Sequence, residues 1–294
     1  MSAHRSARDA RSHDGPLLKI GVAGLGLIGG SLALALRSKH QVLGFDVSRD
    51  TRDAARSAGL TVSDSLEGLL PADAVIVATP LDAVLPTLLA LEPLAKDAVL
   101  LDVGSVRARV DAHASDRHAS PRIVGMHPMA GRSTHGFGAA DPAILAGRPF
   151  LVVPTQRTDA RAMAVAGEIA RDAGGVVTVC SASEHDRRVA VLSALPLAIA
   201  AALSIGADGA GDLAAIAGPG FRDTTRLALT SVDLGTGMLA ANSANVLQAL
   251  SAFREILDEL ERAVASGDDR AVAAFLERAR SARERLEGGK ARVD

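Results

Sequence analysis

The chain has 294 residues, enough for two ordinary domains with separate cores, and a formal net charge of -2. That balance gives no basic field for nucleic acid or an anionic membrane, and six Phe without Tyr or Trp leave little to stack on bases. The single cysteine, Cys180, excludes an intrachain disulfide or a thiolate metal cluster and reads as a small buried apolar residue.

Residues 1–16 carry Arg5, Arg8 and Arg11 without an apolar stretch, so they read as a disordered tail and not as a secretory signal. No run reaches the roughly 18 apolar residues needed to cross a bilayer, and the Ala-heavy Val189 to Ile205 reads as a buried helix, so the chain is expected to span no membrane and to work in the cytoplasm. From Lys19 a short apolar run leads into Gly24-Leu25-Gly26-Leu27-Ile28-Gly29 and then an apolar stretch to Leu36. This is a strand, a tight glycine turn and the first turn of a helix, where backbone N–H groups can meet a pyrophosphate. Gly24 makes the turn, Gly26 clears room for phosphate and Gly29 lets the helix lie close to the strand, while Leu27 and Ile28 open the helix beside the cofactor.

The next apolar run, Gln41 to Phe45, ends at Asp46, about 20 residues after the glycines, where a carboxylate can accept ribose hydroxyls. Asp46 favours NAD, since a 2'-phosphate would meet its charge; Arg49 and Arg52 keep NADP open. A helix over Arg49 to Ala58, a short strand at Leu60 to Val62 and a buried strand over Ala74 to Ala78 follow. That strand stops at Thr79-Pro80, a loop placed to lie along the cofactor. A helix over Leu81 to Leu91 and a strand over Ala98 to Val103 lead to Gly104-Ser105-Val106-Arg107, where Ser105 either caps the following helix or presents its hydroxyl to a substrate.

A strand over Arg122 to Met126 delivers His127-Pro128-Met129-Ala130-Gly131. A histidine at a strand end, fixed by proline and flanked by glycines, is placed like a catalytic group, the alternative being a structural loop hydrogen bond. Strands at Pro149 to Val153 and Gly175 to Val179 flank a helix over Ala160 to Ala173. Beyond Ala182 no strand-like run remains. The expected architecture is therefore α/β: a Rossmann-like dinucleotide-binding domain over 17–181 followed by an all-helical domain over 182–294. Its helices are expected at Glu184 to Leu203, Gly209 to Ala217, Phe221 to Leu229 and Arg270 to Leu286, with one helix striped by Val246, Leu250, Phe253, Leu257, Leu260 and Val264. The stripe fits either packing within the domain or a subunit interface.

From about Leu18 to about residue 260 the chain resembles the prephenate/arogenate dehydrogenase family. The likeness rests on the glycine turn, Asp102-Val103-Gly104-Ser105-Val106-Arg107 (the family usually has Lys last), Gly125-Met126-His127-Pro128-Met129-Ala130-Gly131, Gly147-Arg148-Pro149-Phe150, His185-Asp186 and Gly220-Phe221-Arg222-Asp223-Thr224-Thr225-Arg226. The resemblance implies a nucleotide-binding domain, a helical domain that dimerises, and NAD-dependent oxidative decarboxylation of prephenate, arogenate or a related cyclohexadienyl carboxylate. It also implies that His127 is the catalytic histidine and that Ser105 holds it and the substrate hydroxyl. The resemblance further implies that Arg226 binds a substrate carboxylate and that Gly131 lies at the substrate, although Arg226 taken alone could equally be a helix-surface arginine.

Departures fall on the substrate pocket. Ser193-Ala194-Leu195-Pro196-Leu197 stands where the family reads Ser-His-Leu-Pro-His, and Gly235 stands where its tryptophan falls. The second of those histidines helps bind the pyruvyl side chain in prephenate-specific members; Arg187, Arg188 and Arg222 are candidate substitutes. A 3-hydroxyacid dehydrogenase would need a lysine on the first interdomain helix, and Glu184 to Leu203 has none. A non-catalytic nucleotide-binding homologue is the remaining rival.

Overall fold

In the computed structural model the described residues are 16–132, 134–209, 211, 213 and 215–288; the tail expected over 1–16 lies outside them apart from Pro16. Eight strands form one sheet in the order β3-β2-β1-β4-β5-β6-β7-β8. They are β1 (Lys19–Ala23), β2 (Gln41–Phe45), β3 (Thr61–Val62), β4 (Ala74–Val77), β5 (Val99–Asp102), β6 (Ile123–Pro128), β7 (Pro149–Val153) and β8 (Val176–Val179). The first six are parallel, β7 runs antiparallel to β6, and β8 is parallel to β7.

Both faces of the sheet are covered, which is why β4 reads Ala-Val-Ile-Val with every residue buried. On one face Ile20, Val22, Ile76, Leu101 and Val124 meet α1 (Leu27–Leu36) and α5 (Ala160–Asp172). On the other, Val75, Val77, Leu100 and Ile123 meet α3 (Leu81–Ala95) and α4 (Ala108–Ala114). The helix α2 (Arg49–Ser57) is capped by Ser48 and is followed by Gly59 at φ +81°.

Helix α3 runs four residues beyond the expected end at Leu91, through Pro86 and Pro93. Its stripe of Val84, Leu88, Leu91 and Ala95, spaced by four, three and four, is buried on the sheet. At roughly 1.5–3 kcal/mol for each large side chain, that burial outweighs the hydrogen bonds two prolines remove.

Every described element after β8 is helical. The helix expected from Glu184 begins earlier, at α6 (Ala182–Val189), passes through a π turn over Ala190–Ala194 and continues as α7 (Leu195–Asp208). The π turn sits where Pro196, in the first turn of α7, lacks an N–H to give. By length and composition alone this run is long and apolar enough to cross a membrane, which corrects the expectation of no such segment. The buried helix expected over Val189 to Ile205 is buried on one side only. Ala190, Ala194, Leu197 and Ala200 are buried, whereas Val191, Leu192, Leu203 and Ile205 are exposed, as for a helix packed on one side.

The helix expected over Gly209 to Ala217 is absent among the described residues there, where Gly211 takes φ +107°. Instead α8 (Pro219–Thr225) leads into a 3-10 turn at Arg226–Leu229 and α9 (Val232–Ala241). The described residues group into two compact units divided between Asn242 and Ser243, so α6 to α9 belong with the sheet. The second unit is α10 (Ser243–Ala265) and α11 (Asp269–Gly288), bridged by Arg278 and Glu259 at 2.6 Å.

Candidate active site

Register gathers the functional segments on one edge. Ala23 pairs with Phe45 and Val77, Val77 with Asp102, and Asp102 with Gly125. The residues just beyond these, Gly24, Asp46, Thr79, Ser105 and His127, therefore emerge together at the carboxyl edge of the parallel strands, where open α/β sheets bind ligands.

At the glycine turn, Gly24 has φ +90°, and a Cβ there would meet the Ala78 carbonyl oxygen at 2.6 Å. A Cβ on Gly29 would lie 1.9 Å from the Gly24 oxygen, so α1 can approach β1 only with glycine at that position. Gly26 differs: nothing lies within 4 Å of its Cβ position, and no side chain caps the helix it begins. The first N–H groups of α1, at Leu27, Ile28 and Gly29, thus have no side-chain cap, and uncapped N–H groups at a helix start suit a diphosphate.

Asp46 is held beside this turn. Leu25 N–H donates to its Oδ2 at 2.8 Å and Ser48 N–H to its Oδ1 at 2.9 Å. Arg52 turns to the Asp46 and Val47 carbonyls, at 2.7 and 3.1 Å, and packs near the Phe45 ring. The nearest candidate for a 2'-phosphate contact is thereby occupied. Thr79 is half-buried and its hydroxyl has no partner among the described residues, while Pro80 takes the N-cap position of α3 and is exposed. These residues fit NAD.

His127 is not beyond β6 but within its last two residues, opposite Leu151 of β7. It is 9% exposed. Its Nδ1 lies 2.9 Å from His185 Nε2, and His185 Nδ1 lies 2.8 Å from Asp186 Oδ1. Burial, then the neighbouring His185 and Arg107, lower the His127 pKa to about 3, so the imidazole is neutral at physiological pH.

Asp186 is the hub. Its Oδ1 also accepts Arg107 N–H at 2.8 Å, its Oδ2 accepts Ala108 N–H at 3.0 Å, and Asn242 Nδ2 donates to its main-chain oxygen at 2.7 Å. Asp186, reaching across from α6, caps the N-terminus of α4. Ser105 does not cap it, because the N-cap position is Arg107; the Ser105 hydroxyl makes no hydrogen bond among the described residues.

Arg107 itself is buried and donates through Nη1 to Asp102 Oδ1. Its guanidinium lies across β6: a Cβ on Gly125 would fall 2.5 Å from Cζ. Asp102 Oδ2 and Arg107 Nε have no hydrogen-bond partner among the described residues.

The structure thus joins His127 to His185 and Asp186 but does not bond Ser105 or Arg226 to any of them. Arg226 is exposed, with no ion pair among the described residues, and Gly131 is exposed beside open space. Ala194 and Leu197 are buried, and a Cβ on Gly235 would meet Leu197 Cδ2 at 3.5 Å, so two of the pocket departures are neighbours. Sequence reasoning gave no role to Arg107, His185 or Asp186. The available signal was an adjacent His-Asp pair on the buried face of a helix capped by Ser181. Cys180 is buried as expected, and burial pushes its thiol pKa up.

The nucleotide-binding domain of prephenate dehydrogenase matches residues 32–179, and the dimerization domain of prephenate dehydrogenase matches 181–278. The chain belongs to the prephenate dehydrogenase family. It is 30% identical to the Bacillus subtilis prephenate dehydrogenase, over 90% of this chain and 75% of that one. Among solved structures, Synechocystis arogenate dehydrogenase shares 30% identity at a TM-score of 0.78, covering 91% of this chain and 99% of that one. The prephenate dehydrogenase from A. aeolicus, in complex with hydroxyphenyl propionate and NAD+, shares 26% identity at a TM-score of 0.84, covering 91% and 97%. Family membership accounts for the NAD-shaped turn and for the helical segment that follows the sheet.

Proposed function

We propose that this chain catalyses the NAD-dependent oxidation of prephenate, with loss of carbon dioxide, to 4-hydroxyphenylpyruvate. The observation that carries the reading is a buried, neutral His127 on the same sheet edge as the Gly26 and Asp46 cofactor turn. Bound NAD supplies the hydride acceptor. His127 takes the ring hydroxyl proton as the C–H bond breaks, a step that needs an unprotonated imidazole with a free lone pair. Arg226, exposed and unpaired among the described residues, offers a planar fork to a substrate carboxylate, and Ser105, whose hydroxyl is unengaged among them, meets the substrate hydroxyl.

Arogenate is the second reading. It is favoured by Leu197, which supplies neither charge nor hydrogen bond where prephenate-specific members are expected to hold the pyruvyl group. The test is the initial rate of NADH formation with prephenate and L-arogenate side by side. A rate with either supports the dehydrogenase reading and their ratio fixes the substrate. No rate with either would move the chain to a modified cyclohexadienyl substrate or to a silent nucleotide-binding role.

The active form is read as a homodimer. Supporting this are the dimerization-domain match and the exposed apolar side chains Val191, Leu192 and Ile205 on α6 to α7, and Leu257 and Val264 on α10. Sedimentation of the purified protein tests it; a monomer at micromolar concentration would oppose it.

A further inference from the structure

The pair His185-Asp186 has no role in the reaction as described above, yet both side chains are buried, with His185 against His127 and Asp186 against His185. With both rings neutral, hydrogen-bond accounting along this row leaves one consistent arrangement. The Asp186 carboxylate already accepts two main-chain N–H groups, from Arg107 and Ala108, and an ionised carboxylate can only accept. The third partner, His185 Nδ1 at 2.8 Å, must therefore carry a proton and donate it. A neutral His185 then has its lone pair on Nε2, and His127 Nδ1, 2.9 Å away, must be the donor of that contact. His127 Nε2 is left unprotonated, and it has no partner among the described residues.

We propose that Asp186 and His185 are positioning residues that fix the His127 tautomer, holding Nε2 as the proton-accepting atom, and that they form a relay for the proton it receives. When a proton arrives on Nε2, the Nδ1 proton of His127 passes to His185 Nε2, while His185 Nδ1 stays bonded to Asp186. One proton has been gained, and the positive charge rests on His185 against the Asp186 carboxylate.

The relay answers a difficulty in the site. A base whose own pKa is drawn down to about 3 by burial and two neighbours holds charge poorly. Moving that charge one ring further places it beside an anion and relieves the cost. Arg107 does not cancel the benefit, because its guanidinium is paired with Asp102 and only its main-chain N–H reaches Asp186.

This inference rests on the dehydrogenase reading only for its kinetic arm. The first arm is spectroscopic: the full-length protein labelled with 15N-histidine, with tautomers read from two-bond 1H–15N correlations in the absence of substrate. Nδ1–H forms for both His127 and His185 are expected, and Asp186→Asn should convert His127 to the Nε2–H form. An Nε2–H form of His127 in the unsubstituted protein would overturn the proposal, whatever the activity.

The second arm is the rate with the preferred substrate. Asp186→Asn and His185→Leu should each lower kcat about 100-fold or more, with KM and NAD affinity within about threefold. His185→Leu leaves the Asp186 cap on α4 untouched and so controls for a folding effect of the first variant. Unchanged kcat in folded His185→Leu would refute the relay. A protein inactive toward every substrate would sink the proposed reaction and leave the tautomer result standing.

Discussion

Leu25 N–H donates to Asp46 Oδ2 at 2.8 Å, so the glycine turn after β1 and the carboxylate after β2 form one rigid unit. The acid is aimed before any cofactor arrives, with Ser48 N–H fixing its other oxygen. Asp46→Ala should raise the NADP-to-NAD ratio of kcat/KM by about tenfold or more, by removing the charge that opposes a 2'-phosphate. Steady-state kinetics with both cofactors checks this, and an unchanged ratio would show that Asp46 does not face the ribose.

Two glycines in the same turn should fail in different ways. Gly29→Ala sets a Cβ 1.9 Å from a main-chain oxygen, and backbone cannot yield as a flexible side chain can. A loss of about 3 kcal/mol or more is expected in urea unfolding. Gly26→Ala meets nothing within 4 Å and should cost no more than about 1 kcal/mol, yet NAD affinity should fall because the new methyl enters phosphate space. Equal effects of the two on Tm would contradict this division.

His127 couples the site to stability. Its ordinary value of 6.5 falls to about 3 in the folded chain. Between those values the unfolded chain binds more protons, so stability is fully present above about pH 6.5 and declines as pH falls toward 3. The slope from this one group is at most about 1.4 kcal/mol per pH unit. His127→Gln should flatten the acid side of a stability–pH curve measured by urea unfolding, while abolishing turnover. An unaltered curve would mean that His127 is not held neutral by the fold.

Arg226 is exposed, with no ion pair among the described residues, so removing it leaves no buried partner stranded there. Arg226→Ala should keep Tm and NAD affinity, raise substrate KM by about tenfold or more and change kcat less. A KM that does not move would take Arg226 out of the substrate site.

The sheet was legible because its strands are short apolar runs with β-branched residues and clear stops: β2 and β7 have the bounds their residues imply. What escaped was whatever distant packing decides. Pro93 argues locally for ending α3 near Leu91, and only the buried stripe reaching Ala95 overrides it. Helix α9 carries Gly235 and Gly237 and buries no residue, so it has no periodic signal. In the site, His127 was visible from its strand-end setting. The cap on α4 was not, since Ser105 is the local candidate and the carboxylate that does the work comes from α6. No spacing rule brings Asp186 to Arg107.

The neighbouring departures Leu197 and Gly235 give the last prediction. Leu197 is buried, and the space beside it at Gly235 is bounded by its own Cδ2 at 3.5 Å. Leu197→His restores the side chain that the family resemblance associates with the pyruvyl group. It should shift the kcat/KM ratio toward prephenate over arogenate, because a hydrogen bond offered to a keto acid is lost with the other substrate. Burying imidazole in place of an apolar side chain should also cost about 1–3 kcal/mol in the unliganded protein. Substrate kinetics and urea unfolding on the same preparation separate the two effects. A destabilised variant with an unchanged substrate ratio would show that Leu197 is packing alone and that selectivity is set elsewhere.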